Sequence, residues 1–175
     1  MQEQKGDGMS ELHRVVIVGG GAAGLELATS LGKNRDLAVT LVDRSRTHVW
    51  KPKLHEIAAG SMDTGRHEVG YLAHARKHGF VFRIGQMSGL DRSARQVIVD
   101  PYVDAEGAQV TPRRRIPYDT LVIAIGSQSN DFGTEGVRQH ALKLESLGDA
   151  TRFNRKLMNA CFRAQSQEGP LTAAQ

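Results

Sequence analysis

The residues with the clearest chemical potential in this chain are glycines. Gly19-Gly20-Gly21-Ala22-Ala23-Gly24 has the G-x-G-x-x-G spacing, and each fixed glycine has a separate use. Gly19 permits a tight turn, Gly21 lets the backbone approach a pyrophosphate with no side chain between them, and Gly24 allows a helix to lie close on a strand. The first N–H groups of a helix opening at Ala22 and Ala23, together with its dipole, would face the phosphate charge. Asp43 closes an apolar run nineteen positions after Gly24, where a carboxylate can accept hydrogen bonds from a ribose diol. An acid there favours a free 2′-hydroxyl. Arg44 beside it either tolerates a 2′-phosphate or stands as a solvated charge.

Such a turn works only on a particular scaffold. Val15 to Val18 is a continuous β-branched run, the pattern of a central parallel strand covered on both faces. A helix from Ala22 to about Gly32 and a strand at Leu37 to Val42 complete a βαβ unit, so the sheet is expected to be largely parallel. Lys53 to Ala59 and His67 to His78 read as helices separated by Gly60 and Gly65, followed by a short strand at Phe80 to Ile84. Gln96 to Val99 and Ala108 to Ile116 suggest an inserted antiparallel meander, after which Thr120 to Ile125 returns as a buried strand ended by Gly126. Ala150 to Ala164 carries an apolar helical stripe with Asp149 placed as N-cap. The expected class is α/β, a Rossmann-like parallel sheet with helices on both faces and an inserted small antiparallel β-meander. Residues 1–11 read as a disordered lead-in, 12–165 as the domain and 166–175 as a linker.

Composition excludes several alternatives. The chain has 175 residues, 39% apolar, with 19 glycines and a net charge of +4, an ordinary globular balance that does not demand nucleic acid. Aromatics are only 5%, too few for a base-stacking platform. One cysteine, Cys161, cannot form an internal disulfide, and it reads as a core residue on its helix. The first ten residues lack the apolar run of a signal peptide, and no segment offers the roughly 18 apolar residues of a membrane span. A reducing cytoplasmic setting fits these features. His74 and His78 lie at i, i+4 without a third ligand and read as surface residues, so no metal site is expected. Arg113-Arg114-Arg115 reads as three solvated charges.

The glycine turn alone does not separate FAD from NAD. Tyr118-Asp119-Thr120-Leu121-Val122-Ile123-Ala124-Ile125-Gly126-Ser127, with Thr111 upstream, resembles the second fingerprint of FAD-containing flavoproteins with two dinucleotide-binding domains. Ile125 stands where many members have Thr. Thr47 to Gly60 and Asn130 to Val137 are similar to segments of type II NADH:quinone oxidoreductases, single-polypeptide peripheral-membrane enzymes. The resemblance spans about residues 13–164.

It implies FAD as cofactor and electron transfer from NADH through FAD to a quinone, with no side chain of this chain needed as a catalytic acid or base. By the same resemblance, Gly19, Gly21, Ala22, Ala23, Gly24, Asp43 and Arg44 would contact the ADP half of FAD, and the Met87 backbone would touch the adenine. Ala124 and Gly126 would pass close to the flavin nucleotide, and Lys51 with Pro52 would lie near the isoalloxazine. Family members are much longer. The chain therefore resembles their amino-terminal portion, ending at the linker towards an NADH-binding domain, and is expected to be inactive alone, to hold cofactor weakly and to self-associate, with a homodimer as one form of that association. Membrane contact, at the cytoplasmic face, would come through a carboxy-terminal region that these residues do not include. The alternatives are a dinucleotide-binding fragment without catalysis, and another FAD-dependent pyridine-nucleotide oxidoreductase, which paired redox cysteines would mark.

Overall fold

The computed structural model describes residues 12–62, 68–166 and 169. In chain order the first elements are β1 (His13–Val18), α1 (Ala22–Leu31), β2 (Leu37–Asp43), β3 (Thr47–Val49), a 3-10 turn at Lys51–Lys53, α2 (Leu54–Ala59), β4 (Glu68–Gly70) and α3 (Tyr71–His78). Then come β5 (Val81–Ile84), β6 (Met87–Asp91), β7 (Gln96–Val99), β8 (Tyr102–Val103), β9 (Gln109–Thr111), β10 (Arg114–Pro117), β11 (Thr120–Ile123), α4 (Val137–His140) and α5 (Leu147–Gln165). The chain divides into two compact units, Met1–Arg46 with Gly70–Gly126, and Thr47–Val69 with Ser127–Gln175.

The first unit is built on a parallel sheet in the order β11-β1-β2-β5. Ile17 pairs with Leu41 on one side and Val122 on the other, which makes β1 central, as its unbroken β-branched run requires. Side chains alternate across a strand, and both faces of β1 are covered. Val15 and Ile17 join Val39, Leu41, Leu25, Ala28, Tyr71 and Ala75 in one buried cluster under α1 and α3. Val16 and Val18 join Val42, Val97 and Val99 in another, so the meander supplies the second layer. That meander is a three-stranded antiparallel sheet, β10-β7-β6, beside the hairpin β8-β9.

β6 was not legible as a strand because Met-Ser-Gly-Leu-Asp has neither alternation nor β-branched residues; its ladder to β7 makes it one. The helix expected over His67 to His78 is instead the strand β4 followed by α3. Gly70, extended at φ −69° and ψ 117°, caps α3, and His67 and Gly65 lie outside the described residues. The expected buried strand at Thr120 to Ile125 is shorter, ending at Ile123, and is an edge strand with a neighbour on one side only; Ile123 and Ile125 are 51% and 66% exposed.

In the second unit β3 pairs with β4, and α2 packs on α5. Leu54, Ile57, Ala58 and Ala150 are buried together, with Phe153 against them. The Asn154 side-chain amide donates to the Ala58 carbonyl at 3.1 Å. Ser146, not Asp149, is the N-cap of α5. Its hydroxyl accepts from the Asp149 N–H, while the Asp149 carboxylate accepts from the Ser146 N–H in a capping box. The expected burial of the α5 stripe fails beyond its first turns: Leu157 is 43% exposed, and Cys161 is exposed too. At 1.5 Å of rise per residue, the six residues of α2 span about a third of the nineteen of α5 and cannot cover the rest.

Candidate functional site

The turn between β1 and α1 is drawn tight from below. The Gly19 N–H donates to the Val42 carbonyl and the Ala124 N–H to the Val18 carbonyl, both at 2.8 Å, which locks the turn onto its two neighbouring strands. Gly19 has φ +104°, and a Cβ on it would lie 2.5 Å from the Ala124 carbonyl oxygen. At Gly24 a Cβ would overlap the Gly19 carbonyl oxygen outright and lie 3.2 Å from the Ala124 Cβ. Those two glycines are therefore required by packing, as close approach of helix and strand demands.

Gly21 is the opposite case. It is exposed, with φ −61° and ψ −175°, and a Cβ there would meet nothing within 4 Å. The backbone at Gly21, Ala22 and Ala23 opens onto solvent at a helix start with no side-chain cap, where the first N–H groups have no intrahelical acceptor. A cradle closed behind and open in front, lined by N–H donors, fits a pyrophosphate. Gly126, beyond the end of β11, has equally open space at its Cβ position.

Asp43 ends β2 beside this cradle. Its Oδ2 accepts from the Gly20 N–H at 2.6 Å and its Oδ1 from the Ser45 N–H at 2.7 Å. A carboxylate has about four acceptor positions, so two remain for a ribose diol. Arg44 is exposed. Met87 opens β6 behind Gly85, whose N–H donates to the Asp43 carbonyl at 2.8 Å, and it packs half-buried on the Val97 and Val99 cluster. Gly19, Gly21, Ala22, Ala23, Gly24, Asp43, Arg44, Met87, Ala124 and Gly126 all belong to the first unit.

Lys51 and Pro52 belong to the second unit and are exposed. The Lys51 ammonium is held at 3.1 Å by Glu145 Oε2 and at 3.3 Å by the Ser127 carbonyl. Glu145 Oε1 accepts from the Ser129 N–H at 2.7 Å and from the Ser129 hydroxyl. The Ser129 bonds first, then Lys51, hold the Glu145 carboxyl down at about 2.

Two contributors escaped the sequence reading. Tyr71, 2% exposed, donates its hydroxyl proton to the Gly20 carbonyl at 2.5 Å across 51 positions of sequence; no local pattern announces it. Glu145, between Leu144 and Ser146, also shows its role only through folding. Of the three arginines read as solvated, Arg113 and Arg115 pair with Asp100 and Asp91. Arg114 is half-buried instead and donates to the Ile84 carbonyl, and burial followed by the nearby Arg83 lowers its affinity for its proton. His74 bonds Thr29 Oγ1 at 2.8 Å. Among the described residues no group of three or more His, Cys, Asp or Glu side chains is placed so that it could hold a metal ion, and no helix is long and apolar enough to cross a membrane.

Residues 13–166 match the family model described as pyridine nucleotide-disulphide oxidoreductase. The chain belongs to that family. Among curated proteins, it is 49% identical to the type II NADH:quinone oxidoreductase of Haemophilus influenzae, over 84% of this chain and 34% of the relative. The type II NADH:quinone oxidoreductase NdhA of Mycobacterium tuberculosis is 30% identical, over 85% of this chain and 30% of the relative. The chain thus spans about a third of the length of the curated relatives it matches. Among solved structures, NDH2 from Plasmodium falciparum superposes with a TM-score of 0.75 at 18% identity, over 91% of this chain and 31% of that one. The sulfide:quinone oxidoreductase of Aquifex aeolicus gives 0.68 at 24% identity, over 86% of this chain and 32% of that one. Both confirm the Rossmann-like family fold read from the βαβ pattern.

Proposed function

We propose that this chain is the FAD-binding portion of a type II NADH:quinone oxidoreductase. The observation that carries the reading is the contrast within the glycine turn: Gly19 and Gly24 are filled behind by backbone, while Gly21 faces open space. When bound, the flavin supplies two-electron transfer between NADH and a quinone. The residues of this chain bind and orient. The N–H groups at Gly21, Ala22 and Ala23 receive the pyrophosphate, with Gly19 and Gly24 shaping the turn. Asp43 takes the ribose diol with Arg44 at its rim, and the Met87 backbone flanks the adenine. Ala124 and Gly126 border the flavin nucleotide.

In the second unit, Lys51 and Pro52 are assigned to the isoalloxazine. No side chain of this chain is given a proton-transfer role. Residues 12–165 form the FAD-binding domain and 166–175 lead towards the NADH-binding part, and membrane contact at the cytoplasmic face belongs to regions of the enzyme outside this chain. The 49% identity to the Haemophilus influenzae enzyme supports this over other FAD-dependent oxidoreductases, and with one cysteine the chain holds no redox thiol pair.

The test is a titration of the purified chain with FAD, following flavin fluorescence, with ADP as competitor. Saturable quenching reversed by ADP is expected, with no NADH:quinone turnover by the chain alone. FAD fluorescence that stays free at every protein concentration would refute the reading.

A further inference from the structure

Gly20 is held from two sides. Its N–H donates to Asp43 Oδ2 at 2.6 Å, and its carbonyl accepts the Tyr71 hydroxyl proton at 2.5 Å. Tyr71 cannot easily give way. Its backbone N–H is tied to the Arg46 carbonyl at 3.1 Å, and its ring stacks on Phe82 with centroids 4.9 Å apart. Burial first, and the Asp43 charge second, push the hydroxyl far above its usual pKa, so it remains a donor. A Cβ on Gly20 would lie 2.5 Å from the Tyr71 hydroxyl oxygen, which explains a glycine at a position the motif leaves free.

The peptide joining Gly20 to Gly21 is trans, like every described peptide. In a planar trans peptide the carbonyl and the N–H point in opposite directions. With the Gly20 carbonyl turned into the core towards Tyr71, the Gly21 N–H points the opposite way, and Gly21 itself is exposed. Donation into the carbonyl also polarises the peptide and strengthens its N–H as a donor.

We propose that Tyr71 is a positioning residue that aims the Gly21 N–H at the pyrophosphate of an ADP-containing ligand. This rests on the cofactor reading above. Its signature is selective: the hydroxyl matters for phosphate and not for adenosine.

The experiment compares ADP and adenosine binding by calorimetry for the wild-type chain, Tyr71→Phe and Phe82→Leu. Tyr71→Phe keeps the ring and removes the hydroxyl; Phe82→Leu loosens the ring stack but keeps the hydroxyl and the Tyr71 backbone bond to Arg46 that anchors it. Wild type should prefer ADP. In Tyr71→Phe that preference should fall about tenfold, the scale of one hydrogen bond to a charged group, with adenosine affinity unchanged, while Phe82→Leu keeps the preference. An unchanged ADP preference in Tyr71→Phe overturns the inference, as does an equal loss for ADP and adenosine or an equal collapse in Phe82→Leu. A wild-type chain that binds neither ligand refutes the cofactor reading itself, and the phosphate role of Tyr71 falls with it.

Discussion

Replacing Gly19 and Gly21 separately by alanine should separate folding from binding in one motif. At Gly19 the methyl group meets the Ala124 carbonyl oxygen at 2.5 Å and the Ile125 nitrogen at 2.8 Å, on a backbone at φ +104°. The left-handed backbone costs about 1–3 kcal/mol for a residue with a Cβ, and the overlap adds about 1–3 kcal/mol, since the obstacle is backbone. The sum of about 2–6 kcal/mol is a large part of a typical domain's stability of roughly 5–15 kcal/mol. At Gly21 the extended backbone and empty surroundings admit alanine. A weaker helix cap costs about 0.5–1.5 kcal/mol, and the stiffer unfolded chain returns about 0.4–1 kcal/mol, so stability should change by less than about 1 kcal/mol. The same methyl group stands where the phosphate must approach, and losing one charge-assisted N–H bond weakens ADP at least about tenfold.

Denaturant unfolding and ADP titration of both variants are the assay. Gly19→Ala should shift the unfolding midpoint strongly; Gly21→Ala should unfold like wild type and bind ADP poorly. A Gly21→Ala chain that binds ADP as wild type would refute the placement of the pyrophosphate, and a stable Gly19→Ala chain would refute the packing argument.

Two further outcomes follow from the second unit. The Glu145 carboxyl sits below its ordinary 4.5, at about 2, so its contribution to stability is full above the ordinary value and is lost as pH falls towards 2. Unfolding midpoints of wild type and Glu145→Gln should therefore converge across that window, and parallel curves would contradict the Lys51–Glu145–Ser129 network. Ser146→Ala removes half of the α5 capping box and should cost about 1 kcal/mol in denaturant unfolding, whereas the same loss from Asp149→Ala alone, with Ser146→Ala silent, would restore Asp149 as the cap.

Features set by near neighbours were legible in the amino-acid order. The β-branched Val15 to Val18, the glycine spacing and the apolar positions of α1 specify strand, turn and helix within about twenty residues, and Asp43 follows at the end of the next strand. Local pattern was silent where a partner outside the segment itself makes the element or the contact. β6 exists because β7 offers it a ladder, and α5 is bare along Leu157 to Phe162 because α2 is short. The cap at Ser146 was missed for a smaller reason: Asp149 satisfies the same preference three residues later.

The site divides in the same way. Glycine types and spacing by themselves determined that a phosphate-sized approach is possible at Gly21, since only the absence of a side chain permits it. Which peptide N–H points there was decided by tertiary structure. Tyr71 reaches Gly20 across 51 positions, and Glu145 reaches Lys51 across 94. Hydrogen bonds between residues so distant depend on how strands and helices pack, a quantity no short window of sequence contains.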